Sequence, residues 1–392
     1  MQTIDKKLYD FCCKHAFHIV MLLLLAVSVM IRWTLAPNTF LSGDYNTFYK
    51  PWIEQYRTDG IVSCLRQGIG DYYVPFNLLY ALFSLLPVEP WVPLSIFFCA
   101  MEYISVYYIY KLLRLIGAKI GMDQSENYGK FALFVAVATL YLPHVILNSS
   151  LWKQCDSIYT MFTFASLYYL LKEKHTLAFV LLSVGFCFKL QMIFVLPFFI
   201  IAYVCFHKFT FFQFFQIPAW YIAFGVPAIA CGRRWQDVYK TYLGQMGQED
   251  AMTINTPGFY LLGLNDYYGL YRAAILTTIA IFVIIAYYSF MQKDKLDLKR
   301  VFQLTGLCIW TCYMFLPAMH ERYDYTAIIF VFVYVLMFRR KYLWVPISMM
   351  ICSICTYSNA LIYGSPIPLW ICAIAYFAAY IGYCYDYFKG LR

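Results

Sequence analysis

Charged residues are scarce in this sequence of 392 residues, in which Asp, Glu, Lys and Arg together account for 13%. An ordinary soluble domain carries about 25%. Hydrophobic residues reach 62% and aromatic residues 21%, and apolar segments recur along the whole chain. A single soluble core cannot bury so much apolar surface. The composition therefore excludes a soluble globular protein and predicts one all-α, polytopic integral membrane domain over residues 1–392.

Other features of common protein classes are also missing. There is no internal repeat and no low-complexity linker, and the 14 cysteines form no metal-like CxxC pair outside the apolar segments. The first apolar segment, 15–35, is too long for a signal peptide and has no small-residue cleavage site, which predicts a retained helix. The formal charge of +9 fits cations retained on the cytoplasmic side and does not imply nucleic acid as a partner.

Basic clusters predict the path of the chain through the bilayer, because Lys and Arg accumulate in cytoplasmic connections. The clusters expected on that side are Lys111 to Lys130, Lys172 to His175, His207–Lys208, Lys293 to Arg300, Arg339 to Lys341 and Lys389 to Arg392. Placing them together requires about twelve spans with both termini cytoplasmic: 15–35, 91–116, 131–147, 157–171, two short helices within 176–206, 210–231, 273–290, 301–317, 325–338, 342–361 and 366–388. The first outer loop, 36–90, contains a juxtamembrane helix at 75–87, and a second long outer loop covers 232–272.

This path gathers the unusual polar residues on the outer side. The tripeptide Gly-Asp-Tyr occurs twice in the first outer loop, at Asp44 with Tyr45 and at Asp71 with Tyr72. A carboxylate in this setting can act as a general base on an acceptor hydroxyl, or it can cap an interfacial helix or turn a loop. The aromatic residues around the two aspartates belong either to the interfacial belt or to walls for a sugar and a lipid chain.

The second outer connection reads NSSLWKQCDSIY and contains Trp152, Gln154 and Asp156. Sugar binding needs an aromatic face and a polar group, which Trp152 and Asp156 can supply, and Asp156 can equally cap the helix that follows. Asn148 opens an N-glycosylation sequon, to which we assign no function.

Lys189 is the most unusual single residue, because an ammonium within the apolar stretch 176–206 is costly unless it lines a cavity or meets an anion. Two short helices that meet near Lys189 would create such a cavity. We expect an anion such as a lipid phosphate there, and snorkelling is the alternative.

The outer end of the segment 301–317 reads LPAMHERYDY. His320, Glu321 and Arg322 stand together there, and the planar fork of an arginine can hold a phosphate, although a plain charged loop would look the same. His320, Glu321 and Asp324 could also supply ligands to a divalent cation such as Mg²⁺ or Mn²⁺.

Five segments occur in the order seen in bacterial membrane glycosyltransferases of the GT-C superfamily: SGDYNTFYKPW, GDYYVPFNLLY, LWKQCDSIYT, FKLQMIFVLPF and MHERYDY. Over about residues 40–325 the sequence resembles this superfamily, and the nearest group is the one related to GPI-pathway mannosyltransferases. Two positions depart from the pattern, since a small residue would be expected at Lys153 and an aromatic residue at Asp324.

The resemblance implies an inverting transferase on the non-cytoplasmic face of a bacterial plasma membrane. Its donor would be a polyprenyl-phosphate sugar, such as one carrying the hexose mannose, and its acceptor a glycan or a lipid-linked glycan. By position Asp44 matches the catalytic base, Asp71 the second acidic motif, and Lys189 with Gln191 the half-helix junction. The predicted binding residues for substrate and lipid phosphate are Tyr45, Asp71, Tyr72, Trp152, Gln154, Asp156, Lys189, Gln191, His320, Glu321 and Arg322.

Two other functions fit the same features. A transporter or flippase of lipid-linked sugars also uses half-helices and an intramembrane cation, although such proteins often carry internal repeats. A glycan polymerase or ligase would share the lipid carrier and the outer face.

Overall fold

The computed structural model describes residues 3–122, 125–246 and 249–392, which form a bundle of α-helices. The helices of these residues are α1 (Thr3–Leu35), α2 (Lys50–Asp59), α3 (Ile61–Gln67), α4 (Val74–Ser84), α5 (Trp91–Lys119), α6 (Glu126–Ala138), α7 (Pro143–Ile146), α8 (Asp156–Leu171), α9 (His175–Phe188), α10 (Leu196–Phe206), α11 (Gln216–Ala230), α12 (Trp235–Tyr239), α13 (Thr241–Gln245), α14 (Tyr267–Met291), α15 (Leu298–Phe315), α16 (Tyr325–Phe338), α17 (Trp344–Ile362) and α18 (Leu369–Gly390). Two short strands, β1 (Thr253–Ile254) and β2 (Met319–His320), pair in parallel.

The helices are those of a multi-pass membrane protein. Among the described residues, five helices are long and apolar enough to cross a bilayer: Asp5–Leu35, Trp91–Lys119, Tyr267–Met291, Arg340–Ile362 and Leu369–Gly390. A sixth span results if the pair Asn127–Tyr141 and Pro143–Trp152, bent by 56°, counts as one. Each of the twelve predicted segments contains a helix, but twelve spans are not confirmed. Several helices are too short, since the 14 residues of α9 reach only about 21 Å against a hydrocarbon layer of about 30 Å.

The core places the start of α8 and the start of α16 deep inside the protein. Every residue of α15 from Arg300 to Phe315 is buried, as expected for a helix that is enclosed on all sides. Beside it, α8 and α16 are joined by a hydrogen bond of 2.5 Å between the hydroxyls of Thr160 and Thr326. One turn further on, the rings of Phe164 and Phe330 stack at 4.3 Å. Polar residues at the first turns of these two helices are therefore held in a closely packed setting.

The predicted basic clusters meet at one end of the bundle. The Lys208 ammonium lies 2.7 Å from the Glu173 carboxylate, and the same end contains a cavity lined by Lys119, Lys172 and Leu298. Because α9 begins at this end and α10 returns to it, the break between them lies toward the opposite end. This is the arrangement expected from two short helices that meet near Lys189.

A buried charged network secures the last helix at the same end. Asp386 of α18 accepts hydrogen bonds from Arg300 at 3.0 Å and from the Tyr334 hydroxyl at 2.9 Å. Arg339 approaches the other carboxylate oxygen at 3.2 Å. Two arginines from different basic clusters thus share one carboxylate, which ties α15, the end of α16 and α18 together.

The two long outer loops are folded rather than extended. Residues 36–90 contain α2, α3 and α4, which pack their aromatic side chains into a separate cluster around Tyr49 and Tyr80. The loop 232–272 contains α12, α13 and β1, while its residues 247 and 248 lie outside the described residues. Through β1, Thr253 and Ile254 pair with Met319 and His320, so this loop contacts the segment that carries the late charged motif.

Candidate functional site

Asp44 lies where the first outer loop meets the second outer connection. Its Oδ2 accepts a hydrogen bond from the Trp152 indole Nε1 at 3.1 Å and another from the Gln154 amide. Ser42 secures the contact, since its hydroxyl donates to the Trp152 carbonyl at 2.6 Å and accepts from the Tyr45 backbone N–H at 3.1 Å. Both side-chain donors use Oδ2, and Oδ1 receives no hydrogen bond from the described residues. Oδ1 is therefore positioned to accept a proton from a bound hydroxyl.

Lys153 determines the backbone conformation between Trp152 and Gln154, the two residues that donate hydrogen bonds to Asp44. It has a left-handed conformation, with φ of 63°, which is uncommon for a residue other than glycine. Its side chain is fully buried, and the ammonium donates to the backbone carbonyls of Ser150 and Leu151. Burial lowers the pKa of Lys153 from its ordinary value of 10.5 to about 8. The Lys153 side chain thus acts as a cap on the turn that ends at Trp152.

The low pKa of Lys153 predicts a pH-dependent stability. Below pH 8 the folded protein bears the cost of a buried ammonium, and this cost disappears as the pH rises toward the unfolded value near 10.4. We expect the free energy of unfolding of the wild type, measured relative to Lys153→Met, to rise by about 2–3 kcal/mol between pH 7 and pH 10. Thermal or denaturant unfolding of both proteins in one detergent measures it. A difference that stays constant with pH would show that Lys153 does not titrate in this range.

A buried ion pair lies beside the Asp44 contact. Asp156, at the first turn of α8, accepts from the Lys189 ammonium at 2.6 Å through Oδ1 and from the Asn148 amide at 2.9 Å through Oδ2. Lys189 occupies the extended break after α9 and is only 4% exposed. Because both oxygens of Asp156 are occupied and the residue is fully buried, its position suits an anchor for cations rather than a contact for sugar hydroxyls.

Arg322 lies between the ion pair and the Asp44 contact. Its guanidinium is 5.6 Å from the Trp152 ring centroid, and its Nε lies 3.8 Å from Asp156 Oδ2. Nη1 donates to Glu321 Oε1 at 3.2 Å. The buried Nε has no hydrogen-bond partner among the described residues, and the Arg322 side chain is 14% exposed, against 4% for Lys189. Arg322 is therefore better placed than the enclosed Lys189 to bind an anion directly.

His320 and Glu321 extend the charged motif toward the second outer loop. His320 Nε2 is 3.8 Å from Glu249, and Nδ1 is 4.0 Å from Glu321. Burial and the nearby charges of Arg322 and Lys189 lower the pKa of His320 to about 3, so the imidazole is neutral at ordinary pH. Burial raises the pKa of Glu321, and the Arg322 charge opposes this rise.

The three residues predicted as metal ligands do not converge. Asp324 is fully buried and accepts a hydrogen bond from the Tyr376 hydroxyl at 2.9 Å, in the packed core under the site. His320 instead lies near Glu249, and Glu321 accepts a hydrogen bond from Arg322. Within residues 3–122, 125–246 and 249–392, no three His, Cys, Asp or Glu side chains are grouped so that they could hold a metal ion. These side chains therefore do not fit the predicted Mg²⁺ or Mn²⁺ set.

Asp71 and Tyr72 reach the site from the second Gly-Asp-Tyr. Desolvation by the surrounding protein raises the pKa of the Asp71 carboxyl, while the charge of Arg322 lowers it and that of Asp44 raises it. Its backbone carbonyl accepts from Gln245 at 2.6 Å. The Tyr72 hydroxyl lies 3.5 Å from Cys155 Sγ, next to Asp156 in the chain. The two aspartates are thus near enough to interact electrostatically, but only Asp44 has side-chain donors on its carboxylate.

Two predicted binding residues lie apart from this group. Tyr45 is buried in the aromatic cluster of the first outer loop, and its hydroxyl has no hydrogen-bond partner among the described residues. Gln191 is half-buried in the 3₁₀ turn after Lys189, and its amide makes no hydrogen bond within the described part of the chain. The contacts described here give neither residue a function in the site.

The structure also adds residues that sequence reasoning missed. Asn148 donates both to Asp156 and to the Tyr357 hydroxyl, the latter at 3.0 Å, and the Tyr357 ring packs edge-on against Trp152 at 5.1 Å. Because Asn148 was interpreted only as part of a sequon, its hydrogen bonds were not predicted. The polar Asn-Ser-Ser segment close to Trp152 was a signal that could have indicated them. Tyr357 lies within an apolar helix of a tyrosine-rich chain, so the sequence offered no signal for it.

Comparison with known proteins gives no match: no protein-family model matches the sequence, and the comparison with curated proteins finds none. The resemblance to GT-C transferases therefore depends on the five sequence motifs. Each of these motifs has at least one side chain in or beside the site, namely Asp44, Asp71, Trp152, Lys189 and Arg322.

Proposed function

We propose that the protein is a membrane glycosyltransferase that moves a sugar from a polyprenyl-phosphate donor to a glycan or lipid-linked acceptor. The observation that carries the proposal is the position of one indole ring. The edge of Trp152 donates to Asp44, and its face lies 5.6 Å from the Arg322 guanidinium. A carboxylate with a free oxygen thus lies at the edge of an aromatic ring, and a cation with an unpaired donor lies over its face. A transferase of this class needs these three elements for an acceptor, a phosphate and a sugar.

The chemistry follows from this geometry. Asp44 Oδ1 takes the proton of the acceptor hydroxyl as its oxygen attacks the anomeric carbon. The bond between that carbon and the donor phosphate breaks on the opposite face, so the configuration inverts and polyprenyl phosphate leaves. Arg322 stabilises the charge that develops on the phosphate. Asp156 and Lys189 form an ion pair, and this pair keeps the positively charged side of the site in position.

The orientation is part of the same proposal. We assign the basic end of the bundle to the cytoplasm, with both termini there and about twelve spans, because the basic clusters meet at that end. The site then faces outward from a bacterial plasma membrane. The short helices α9 and α10 support this path, since they let the chain reach Lys189 and return to the same end.

Reconstitution with radiolabelled polyprenyl-phosphate hexoses and separated acceptors tests the function. The expected result is release of polyprenyl phosphate together with a new glycoside on the acceptor. Movement of the labelled lipid across the bilayer without bond formation would contradict the proposal and indicate a flippase. Transfer of a whole preformed glycan from its lipid carrier would likewise contradict it and indicate a polymerase or ligase.

The binding of the donor phosphate is tested separately by Arg322→Lys. A lysine keeps the charge but loses the planar fork, so at least one charge-assisted hydrogen bond to phosphate disappears. Such a bond contributes about 1.5 kcal/mol or more, so the KM for the donor should rise about tenfold. Steady-state kinetics with varied donor measures it, with Arg66→Lys as the matched control, because the one hydrogen bond of the Arg66 side chain to the described residues goes to the Cys231 carbonyl. Equal kinetics for Arg322→Lys and the control would remove Arg322 from the phosphate site.

A further inference from the structure

Two adjoining cavities lie at the basic end, away from the site described above. One has a volume of about 190 Å³ and the other about 330 Å³, and they share Leu171, Glu173, Lys208 and Leu298. Together they form a partly open cleft between the ends of α5, α8 and α10 and the start of α15.

The outer cavity is cationic. Lys119, Lys172 and Lys208 border it, together with the single acid Glu173, which already pairs with Lys208 at 2.7 Å. Lysines at the ends of α5 and α8 also suit the negative ends of those helices. That interaction alone does not account for a cavity between the lysines. The excess positive charge around an open space favours an anionic group.

The inner cavity continues from the outer one, and its lining is mainly apolar, with Glu173, His175 and Lys208 as its polar residues. Phe198, Ala202 and Phe206 of α10 form one wall, and Val301 of α15 closes it. Ala202 and Val301 are buried, so this wall belongs to the core of the bundle rather than to its surface. An anion with an attached hydrocarbon chain satisfies both cavities, whereas a free anion would leave the apolar one empty.

We propose that this pair of cavities is a binding site for an anionic phospholipid, with the phosphate on the three lysines and an acyl chain in the apolar cavity. Basic pockets between transmembrane helices on the cytoplasmic side bind anionic headgroups by the same interactions. The lipid bridges the loop between α8 and α9 to the start of α15, and it thereby stabilises the α9–α10 hairpin that carries Lys189. This binding does not depend on the proposed transferase activity, since no substrate takes part in it.

Thermal unfolding of the full chain in a neutral detergent tests the proposal. Phosphatidylglycerol is expected to raise the unfolding temperature by about 4 °C, and phosphatidylcholine of the same chain length should give little change. Inorganic phosphate at the same concentration should also have little effect. Equal shifts with phosphatidylcholine would overturn the need for an anionic headgroup, and an equal shift with inorganic phosphate would overturn the need for an acyl chain.

Substitution of the three lysines tests where the phospholipid binds. Replacing Lys119, Lys172 and Lys208 together with Gln should abolish the shift caused by phosphatidylglycerol. The matched control replaces Lys50, Arg234 and Lys240 of the outer loops with Gln, removes the same number of cations and should keep the full shift. A full shift in the first triple variant would overturn the site.

The apolar cavity is tested by Ala202→Phe, which fills it while keeping the lysines. This change should weaken phosphatidylglycerol binding about tenfold or more, read as the number of lipids retained in native mass spectrometry. Ala202→Leu gives a smaller volume change should the larger ring impair folding. Unaltered lipid retention in both variants would contradict an acyl chain at this position.

Discussion

Replacing Asp44 with Asn is expected to reduce glycosyl transfer by about 10²–10⁴-fold, the usual contribution of a positioned general base. The amide has nearly the same shape as the carboxylate, and its oxygen can still accept from Trp152 and Gln154. What it cannot do is take a proton from the acceptor hydroxyl. The loss should therefore appear in kcat, with little change in the KM for the donor. Single-turnover assays with reconstituted protein measure the chemical step directly.

The matched control for Asp44 lies in the same outer loop. Asp59, at the end of α2, is exposed, and within the described part of the chain its carboxylate accepts hydrogen bonds from Gln55 and Thr58 alone. Asp59→Asn should leave turnover unchanged. Asp71→Asn should have an intermediate effect, because the Asp71 carboxylate interacts electrostatically with Asp44 but receives no side-chain donor among the described residues that would fix its position for proton transfer. If Asp44→Asn retains the activity of the wild type, Asp44 is a structural residue and the proposed base is wrong.

The sequence predicted the helical layout better than it predicted the number of spans. Periodic apolar segments and basic clusters are local features, so the helices and the common side of the clusters could be read from them. The number of spans depends on how short helices such as α8 and α16 sit in the core, which is a matter of tertiary packing. Their closely packed contact at Thr160 and Thr326 has no signature in the sequence.

The candidate site, too, could be predicted from the sequence only in part. Residue types unusual in an apolar chain, such as Lys189 and Arg322, stood out because burial of a charge demands a partner. The identity of the partner did not follow, since Asp156 was expected either to bind sugar hydroxyls or to cap its helix, and its carboxylate pairs with Lys189. Tyr45, also predicted to bind substrate, neighbours Asp44 in the chain, and its side chain packs in the aromatic cluster of the first outer loop. Residues that are adjacent in a helical turn point their side chains in different directions. Sequence spacing reveals these directions only when the conformation of the turn is known.

The second large effect is expected from Asp156→Asn. Removal of one partner of a buried ion pair leaves the other charge without compensation and typically costs about 3–5 kcal/mol. Here the loss should be at the upper end, because Asp156 faces both Lys189 at 2.6 Å and Arg322 at 3.8 Å, and two cations would lose their common anion. Thermal unfolding in a fixed detergent and lipid mixture measures this loss. The exposed pair of Lys50 with Glu89 provides the control, since Glu89→Gln should change stability by no more than about 1 kcal/mol.

Lys189→Met should be milder than Asp156→Asn, and this asymmetry separates the two roles. Without Lys189, the Asp156 carboxylate still has the Asn148 amide at 2.9 Å and the Arg322 guanidinium nearby. The double variant Asp156→Asn with Lys189→Met removes one anion and one cation together, so it should recover part of the stability lost in Asp156→Asn. If Asp156→Asn and Lys189→Met are equally destabilising, Arg322 does not share the carboxylate. Arg322 would then be held by Glu321 alone, and the ion pair would lie beside the phosphate site without shaping it.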